Sequence, residues 1–284
     1  MLCGISANNL GVVAGSSWGL VIVCSGYYNS PVLRQLLTYL SRGRILKRNL
    51  PADFGSRPIY VSPDAALAFW KMDLEKVDPI LFNFARHLVK PGNVVWDVGA
   101  NVGLFTFAAA AIAGKNGSVL AVEPDSFLAG LIQRSAQLPS LDAATVHVIS
   151  FAISDRPGVV TFNISKRGRC SNHVSGFGTE QSGGARSSIS VPSVNLDSLI
   201  DVYGPPNVVK IDIEGMDHIA LRGADKLLRR RPILILEVTD ANRDEMFEIL
   251  QKYGYRVFDT TLRPVRKMPL CNLVAMADGA TVPL

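Results

Sequence analysis

The sequence predicts an α/β fold built on one doubly wound sheet and preceded by a helical segment. Three observations point there. From Pro91 onward, short apolar runs alternate with amphipathic stretches, the pattern of parallel βαβ units. A glycine-rich turn, Asp97-Val98-Gly99-Ala100-Asn101-Val102-Gly103, stands between the first such run and the first long helix. Near the carboxyl end, residues 254–260 and 272–276 are two strand-like runs with no helix between them, as an antiparallel pair requires.

Composition sets the frame. Of 284 residues, 48% are hydrophobic and 19% charged, which provides a core and excludes a disordered chain. Gly 24 and Pro 16 exclude collagen-like and low-complexity sequences. Cys3, Cys24, Cys170 and Cys271 form no C-x-x-C pair and read as free thiols of a reducing, cytoplasmic compartment. His87, His147, His173 and His218 are scattered, so no metal site is expected.

Residues 1–33 carry no charge, and the first charged side chain is Arg34. The run from Leu10 to Tyr28 barely reaches the length of a membrane span and is diluted by Ser16, Ser17, Ser25 and several glycines. No positive stretch precedes it, as a secretory signal would need. A loose extension is preferred; an anchor and a misassigned start are the alternatives. Arg34, Arg42, Arg44, Lys47 and Arg48 follow, so an anchor would leave the remaining chain on the cytoplasmic side.

Residues 34–90 read as a helical segment. Val32, Leu33, Leu36, Leu37 and Leu40 have helical spacing, and Pro51 stops the pattern. Residues 65–89 read as helical again, broken near Pro79 and closed by Pro91-Gly92. The main domain, 91–284, then runs strand 94–98, helix 102–113, strand 118–122, helix 126–138 and strand 146–152. A hairpin at Pro157-Gly158 leads to strand 159–164. Residues 165–188 lack apolar periodicity and read as a long loop. Strand 190–194, helix 196–203, strand 208–213, helix 218–228, strand 233–238 and helix 243–253 complete the alternation.

The turn at 97–103 carries the first chemical signal. Glycine there admits a ligand close to the backbone, and the helix start offers free N–H groups. The next strand ends in Glu123, where a carboxylate accepts the two hydroxyls of a ribose. Dinucleotide enzymes use G-x-G-x-x-G; here the pattern is G-x-N-x-G with Asp97 before it. An acid at that place repels a pyrophosphate and attracts a cation, which favours the sulfonium and ammonium groups of S-adenosylmethionine.

The second signal is charge in a strand that should be apolar on both faces. Lys210, Asp212 and Glu214 interrupt Val208-Val209-Lys210-Ile211-Asp212-Ile213-Glu214, and a period of two puts all three on one face. Buried charge needs partners or a ligand. The bland alternative is a surface Lys210–Asp212 pair with Glu214 solvated. Glu237, in the strand 233–238, is a weaker case of the same kind.

These stretches resemble a known family. "VVWDVGANVGLFTFAAAAI", "AVEPD", "FAISDRPGVVTF", "VPSVNLDSLI", "VVKIDIEGMDHIALRGA" and "PILILEV" are similar, in that order, to FkbM methyltransferases. The resemblance implies a class I methyltransferase, Rossmann-like fold: a seven-stranded sheet with an antiparallel last strand. It implies S-adenosylmethionine as cofactor and O-methylation of a hydroxyl on a sugar, glycolipid or polyketide-type natural product, hence a small-molecule or glycan acceptor. Carried over, Asp97, Gly99, Ala100, Asn101 and Gly103 form the cofactor loop, Glu123 holds the ribose, and Asp155 lies beside the adenine. A turn role is the alternative for Asp155. The family's second acid after K-I-D-V-E-G falls on Asp217, one methylene shorter than the usual Glu.

A sugar hydroxyl needs a base, and Asp212 and Glu214 are the candidates, with Lys210 orienting one of them; His218 is weaker. The 165–188 loop reads as a lid or as solvated chain, with Lys166, Arg167, Arg169 and Arg186 set to meet phosphate or acidic sugar. The competing classes are a nicotinamide-dependent oxidoreductase, an RNA methyltransferase and a non-catalytic cofactor-binding module. Basic runs at 229–231 and 263–267 lack interleaved aromatics, so no nucleic-acid partner is expected.

Overall fold

The computed structural model describes residues 31–140, 142–178, 182–265, 268–270 and 272–279, without the side chains of 31–34. The chain divides into two units, Met1–Leu36 and Leu37–Leu284. The elements below belong to the second, save the first half of helix α1. Expectations for residues 1–30, and for Cys3, Cys24 and Cys271, lie outside the described residues.

Helix α1 (Pro31–Ser41) ends earlier than the sequence predicts. Gly43 turns the chain with a left-handed φ of 66°. Strand β1 (Leu46–Asn49) then pairs antiparallel with β2 (Pro58–Val61). The segment 34–90 is therefore not helical throughout. Leu36, Leu37 and Leu40 do lie in α1, but beyond Ser41 the chain passes into β1, β2 and a 3-10 turn at Leu67–Trp70. The small sheet is pinned to the main domain, because Ser135 Oγ accepts the Tyr60 N–H at 2.8 Å and Arg57 donates to the Ser135 carbonyl. Helix α2 (Pro79–Leu88) begins at an Asp78 cap, whose carboxylate accepts the Leu81 N–H at 3.0 Å, with Pro79 in the first turn.

The chain continues through β3 (Val94–Val98), α3 (Leu104–Ala113), β4 (Ser118–Val122), α4 (Ser126–Ala136) and β5 (Thr145–Ile149). Next come β6 (Ala152–Ile153), β7 (Gly158–Ser165), β8 (His173–Val174), β9 (Ala185–Val194) and α5 (Asp197–Tyr203). The last stretch holds β10 (Val208–Ile211), α6 (Asp217–Arg222), α7 (Asp225–Arg229), β11 (Ile233–Glu237), α8 (Arg243–Lys252), β12 (Tyr255–Phe258) and β13 (Asn272–Ala277).

Seven strands form the main sheet in the order β12-β13-β11-β10-β3-β4-β5. All pairings are parallel except those of β13, which runs antiparallel to β11 and β12. Phe82, Phe84, Phe105, Phe107 and Leu131 cover one face, and Leu199, Leu221, Leu227, Met246 and Leu250 the other. Burial on both sides makes the inner strands continuously apolar. The order reverses between β3 and β10, where such sheets open a crevice at their carboxyl edge.

Two expectations change. The stretch 165–188 is not all loop: β9 starts at Ala185 and pairs antiparallel with β7 in a second sheet of order β6-β9-β7-β8. Most of its side chains are polar and exposed, so no apolar period marked it. The helix predicted at 218–228 is two helices that meet at Gly223. A Cβ there would stand 2.7 Å from the Asp155 carbonyl oxygen, so the chain bends where another backbone passes.

Candidate active site

A cavity of about 370 Å³ opens at the carboxyl edge, over the β3–β10 crevice. Its floor is the 97–103 turn. Gly99 has φ 77° and its Cα faces Asp212 so closely that a Cβ would lie 2.0 Å from the Asp212 carbonyl oxygen. Asn101 also takes a left-handed φ, 54°, and Gly103 one of 86° at the start of α3. Side chains rarely tolerate these angles, so the loop stores strain at the ligand-facing edge. Ala100 is buried in the same wall.

Burial demanded partners for the charges of β10, and register supplies them. Lys210 lies directly opposite Asp97 in the parallel β3–β10 ladder. Lys210 Nζ stands 3.3 Å from Asp97 Oδ1 and 3.2 Å from Asp212 Oδ2, and donates to the Gly99 carbonyl at 3.2 Å. Burial alone would lower the Lys210 pKa; the charges of Asp212 and Asp97 override it and hold the ammonium above its usual range. Asp97 Oδ2 accepts the Thr106 hydroxyl at 2.6 Å. The bland alternative of a surface pair is thus corrected: Asp212 is partly exposed, but Lys210 and Asp97 are buried.

The strand ends at Ile211, before the charged series does. Glu214 is reached through a turn, at φ 48°, and lines the same cavity as Lys210 and Asp212. Strand period therefore does not place it; the turn does. Burial, then the charges of Asp212, Glu237 and Asp217, push its carboxyl up to about 8. Glu123, at the end of β4, accepts the Asn101 N–H at 2.8 Å and the Asp125 N–H at 2.9 Å, one on each oxygen. Burial, reinforced by Asp125 and Asp97, pushes this carboxyl up to about 8 as well.

Asp155 is not part of this wall. The cavity takes Phe151, Ala152 and Ile153 from the β5–β6 stretch, while Asp155 follows it, accepts the Ser154 hydroxyl at 3.2 Å and packs its backbone on Gly223. Asp217 has a role of its own. Its two oxygens accept the N–H groups of Ile213 (3.1 Å) and Glu237 (2.9 Å), tying the 212–216 turn to the end of β11. A shorter side chain suits that backbone bridge, and Asp217 faces no cavity. Neither Glu237 nor His218 lines the cavity; His218 lies edge-on to Phe177.

The far wall is formed by Arg169, Cys170, Ser171 and Asn172. Arg169 is not free for phosphate. It donates to Asp64 at 2.8 Å and to Asp125 at 2.5 Å, and its guanidinium lies 4.5 Å from the Phe127 ring centre. Arg186 makes two bonds of 3.0 Å to the same Asp64. Asn172 donates to Asp125 at 2.8 Å. In the segment read as a lid or as solvated chain, Arg169, Asn172 and Arg186 are thus clamped by buried bonds to Asp64 and Asp125.

Sequence reasoning missed Asp78, Thr106, Asp64 and Asp125. Asp78 was marked as a cap by the Pro after it, and it also lines the cavity. Thr106 was marked as the one hydroxyl in an otherwise apolar helix. Asp64 gave no signal, since both its arginines lie more than 100 residues away.

The residues lining the cavity fit a cationic nucleoside. Asn101 Oδ1 is buried and has no hydrogen-bond partner, an acceptor directed at the cavity floor. With Glu123 and Glu214 protonated below about pH 8, the lining carboxylates of Asp78, Asp97 and Asp212 still outnumber Lys210, because Arg169 is already paired with Asp64 and Asp125. Such a surface suits a cation-bearing nucleoside such as S-adenosylmethionine.

The chain is similar to several known methyltransferases. The curated hexuronic acid methyltransferase AglP of Haloferax volcanii is 28% identical over 150 residues, 51% of this chain and 56% of that protein. The chain thus spans about half the length of that relative. Among solved structures, a methyltransferase FkbM from Methylobacillus flagellatus superposes with TM-score 0.42 at 14% identity, covering 69% of this chain and 50% of that one. A SAM-dependent O-methyltransferase from Thermotoga maritima gives 0.41 at 16% identity, covering 72% and 66%. Assignment rests on sequence instead: residues 97–257, from the acid of the glycine turn to the penultimate strand, match the methyltransferase FkbM domain, and the chain belongs to that family of methyltransferases.

Proposed function

We propose that the chain transfers the methyl group of S-adenosylmethionine to a hydroxyl of a sugar, glycolipid or polyketide-type compound. The observation that carries this reading is the triad of buried Asp97 and Lys210 with partly exposed Asp212, beside a turn whose Asn101 acceptor is unsatisfied. S-adenosylmethionine supplies an electrophilic methyl on a sulfonium. Asn101 Oδ1 and the carboxylate of Asp97 receive the cationic end. Glu123 keeps a lone pair on each oxygen for the ribose hydroxyls, while its other lone pairs hold the loop N–H groups.

On the acceptor side, Asp212 and Glu214 stand at the mouth. Glu214, with its carboxyl near 8, is matched to take a proton from a hydroxyl at neutral to mildly alkaline pH. Lys210 fixes the orientation of Asp212 at 3.2 Å and, being paired, keeps that carboxylate directed at the cavity. Alignment of acceptor oxygen and methyl supplies much of the remaining acceleration. The name of the relative AglP supports a sugar acceptor.

Calorimetric titration with S-adenosylmethionine and, separately, with NADH tests the cofactor. Heat with the former alone is expected; silence in a folded sample sinks the reading. For the base, Asp212→Asn with Glu214→Gln is expected to lose turnover while cofactor affinity changes little. Normal turnover by that double variant would remove both from the mechanism.

A further inference from the structure

The net charge of the chain is unevenly placed. Of 29 basic and 24 acidic side chains, residues 1–52 hold five basic and no acidic ones, and the rest of the chain holds 24 of each. The whole excess of +5 thus belongs to the segment that leads into the small β1–β2 sheet. Arg44 and Arg48 are held by backbone carbonyls rather than by carboxylates. Arg44 donates to the Leu40 carbonyl at 2.8 Å. Arg48 donates to the carbonyls of Lys71 (2.9 Å), Lys47 (3.0 Å) and Trp70 (3.3 Å). Their charges remain available to an outside partner.

Apolar side chains accompany them. Tyr39 is 71% exposed, Leu40 45%, Ile45 38% and Met72 76%. The bonds just named join these residues into one strip: Arg44 lies on Leu40 and precedes Ile45, and Arg48 lies on Lys71, which precedes Met72. Exposed apolar side chains interleaved with unmatched basic ones fit one kind of surface. The aliphatic and thioether groups enter the boundary between headgroups and acyl chains, and the basic groups meet lipid phosphates. RNA is the other polyanion that basic residues attract. It is bound by stacking on aromatic faces, and of the four exposed side chains only Tyr39 has one, while Leu40, Ile45 and Met72 are aliphatic or thioether groups.

We infer that this strip docks the protein on an anionic lipid surface. The docking side adjoins the cavity: Phe69 lines it, and the next residue, Trp70, gives its carbonyl to Arg48. Docking needs no cofactor and is tested on the protein alone.

The experiment is co-sedimentation of the full chain with vesicles of phosphatidylglycerol and phosphatidylcholine, against vesicles of phosphatidylcholine only, at low and high salt. Binding to the anionic vesicles is expected, at least about tenfold weaker on neutral ones and weakened by salt. The triple variant Arg42→Glu, Arg44→Glu, Lys47→Glu should lose it, with an unchanged thermal melt. If that variant unfolds, Met72→Ser serves instead, because its side chain is outside the core; it should weaken binding several-fold. Protein that stays in the supernatant overturns the inference. So does equal binding to neutral vesicles, which would place insertion in an uncharged segment. Tighter binding to a homopolymeric RNA, unaffected by Met72→Ser, overturns it too.

Discussion

Gly99 and Asp212 pass each other with no space for a side chain: a Cβ on the glycine would be 2.0 Å from the Asp212 carbonyl oxygen. Two loops from adjacent parallel strands cross here, and the cavity floor is their crossing. The Gly99→Ala protein should therefore fail to bind S-adenosylmethionine. Backbone displacement and a φ of 77° together should cost roughly 2 kcal/mol or more and lower the melting temperature by about 5 °C. Calorimetry and a thermal melt check both parts.

Replacing Lys210 by Met leaves Asp97 buried with no cation. Removal of one partner from a buried pair costs about 3–5 kcal/mol. Urea unfolding should show a loss of that order. Adding Asp97→Asn should restore part of it, because the uncompensated charge is then gone. A simple sum of the two single effects would mean that the pair is not coupled.

The apo protein should lose stability as pH rises through the range from about 4.5 to about 8. Glu123 and Glu214 have folded pKa values near 8, above the ordinary 4.5. Between these values the folded chain holds protons that the unfolded chain has released, so the stability contribution is fully present below about 4.5 and lost as pH approaches 8. Glu214→Gln should flatten the slope of melting temperature against pH. In the active enzyme the same substitution should abolish a rise in rate centred near pH 8. A rate profile unchanged in the variant would assign the proton acceptor elsewhere.

Asp64 is the anchor of the far wall, with Arg169 on one oxygen and Arg186 on both. Asp64→Asn should destabilise the protein by about 3 kcal/mol and speed proteolysis within 165–188. Asp125 would still hold Arg169 and Asn172, so the wall should loosen without unfolding the main sheet. Limited digestion followed by mass spectrometry locates the cut.

Some of this was legible because it broke a local rule. Lys210 in an apolar strand and glycines between a strand and a helix are anomalies that a sequence displays, and both lie at the cavity. The pairing of Lys210 with Asp212 was legible from the strand itself, but its pairing with Asp97 was not, because register between β3 and β10 decides it. Residues 185–188 of β9 fell in the stretch read as loop, although 190–194 was read as strand, and the four-residue strands β1 and β2 are too short to show a period. For Asp155 the motif position gives a place along the chain, and the cavity lining in that stretch stops at Ile153.

The place of β13 has a consequence for how the chain reaches this state. It is the last described strand in sequence, yet it lies inside the sheet, between β11 and β12. Until residues 272–277 arrive, β11 presents an open apolar edge and β12 has no partner in the sheet. Closing the sheet is then a late, long-range event of the slow kind, and a nascent chain exposes an aggregation-prone edge meanwhile. Chaperone dependence during synthesis, and intolerance of truncation before Asn272, follow from this order of assembly.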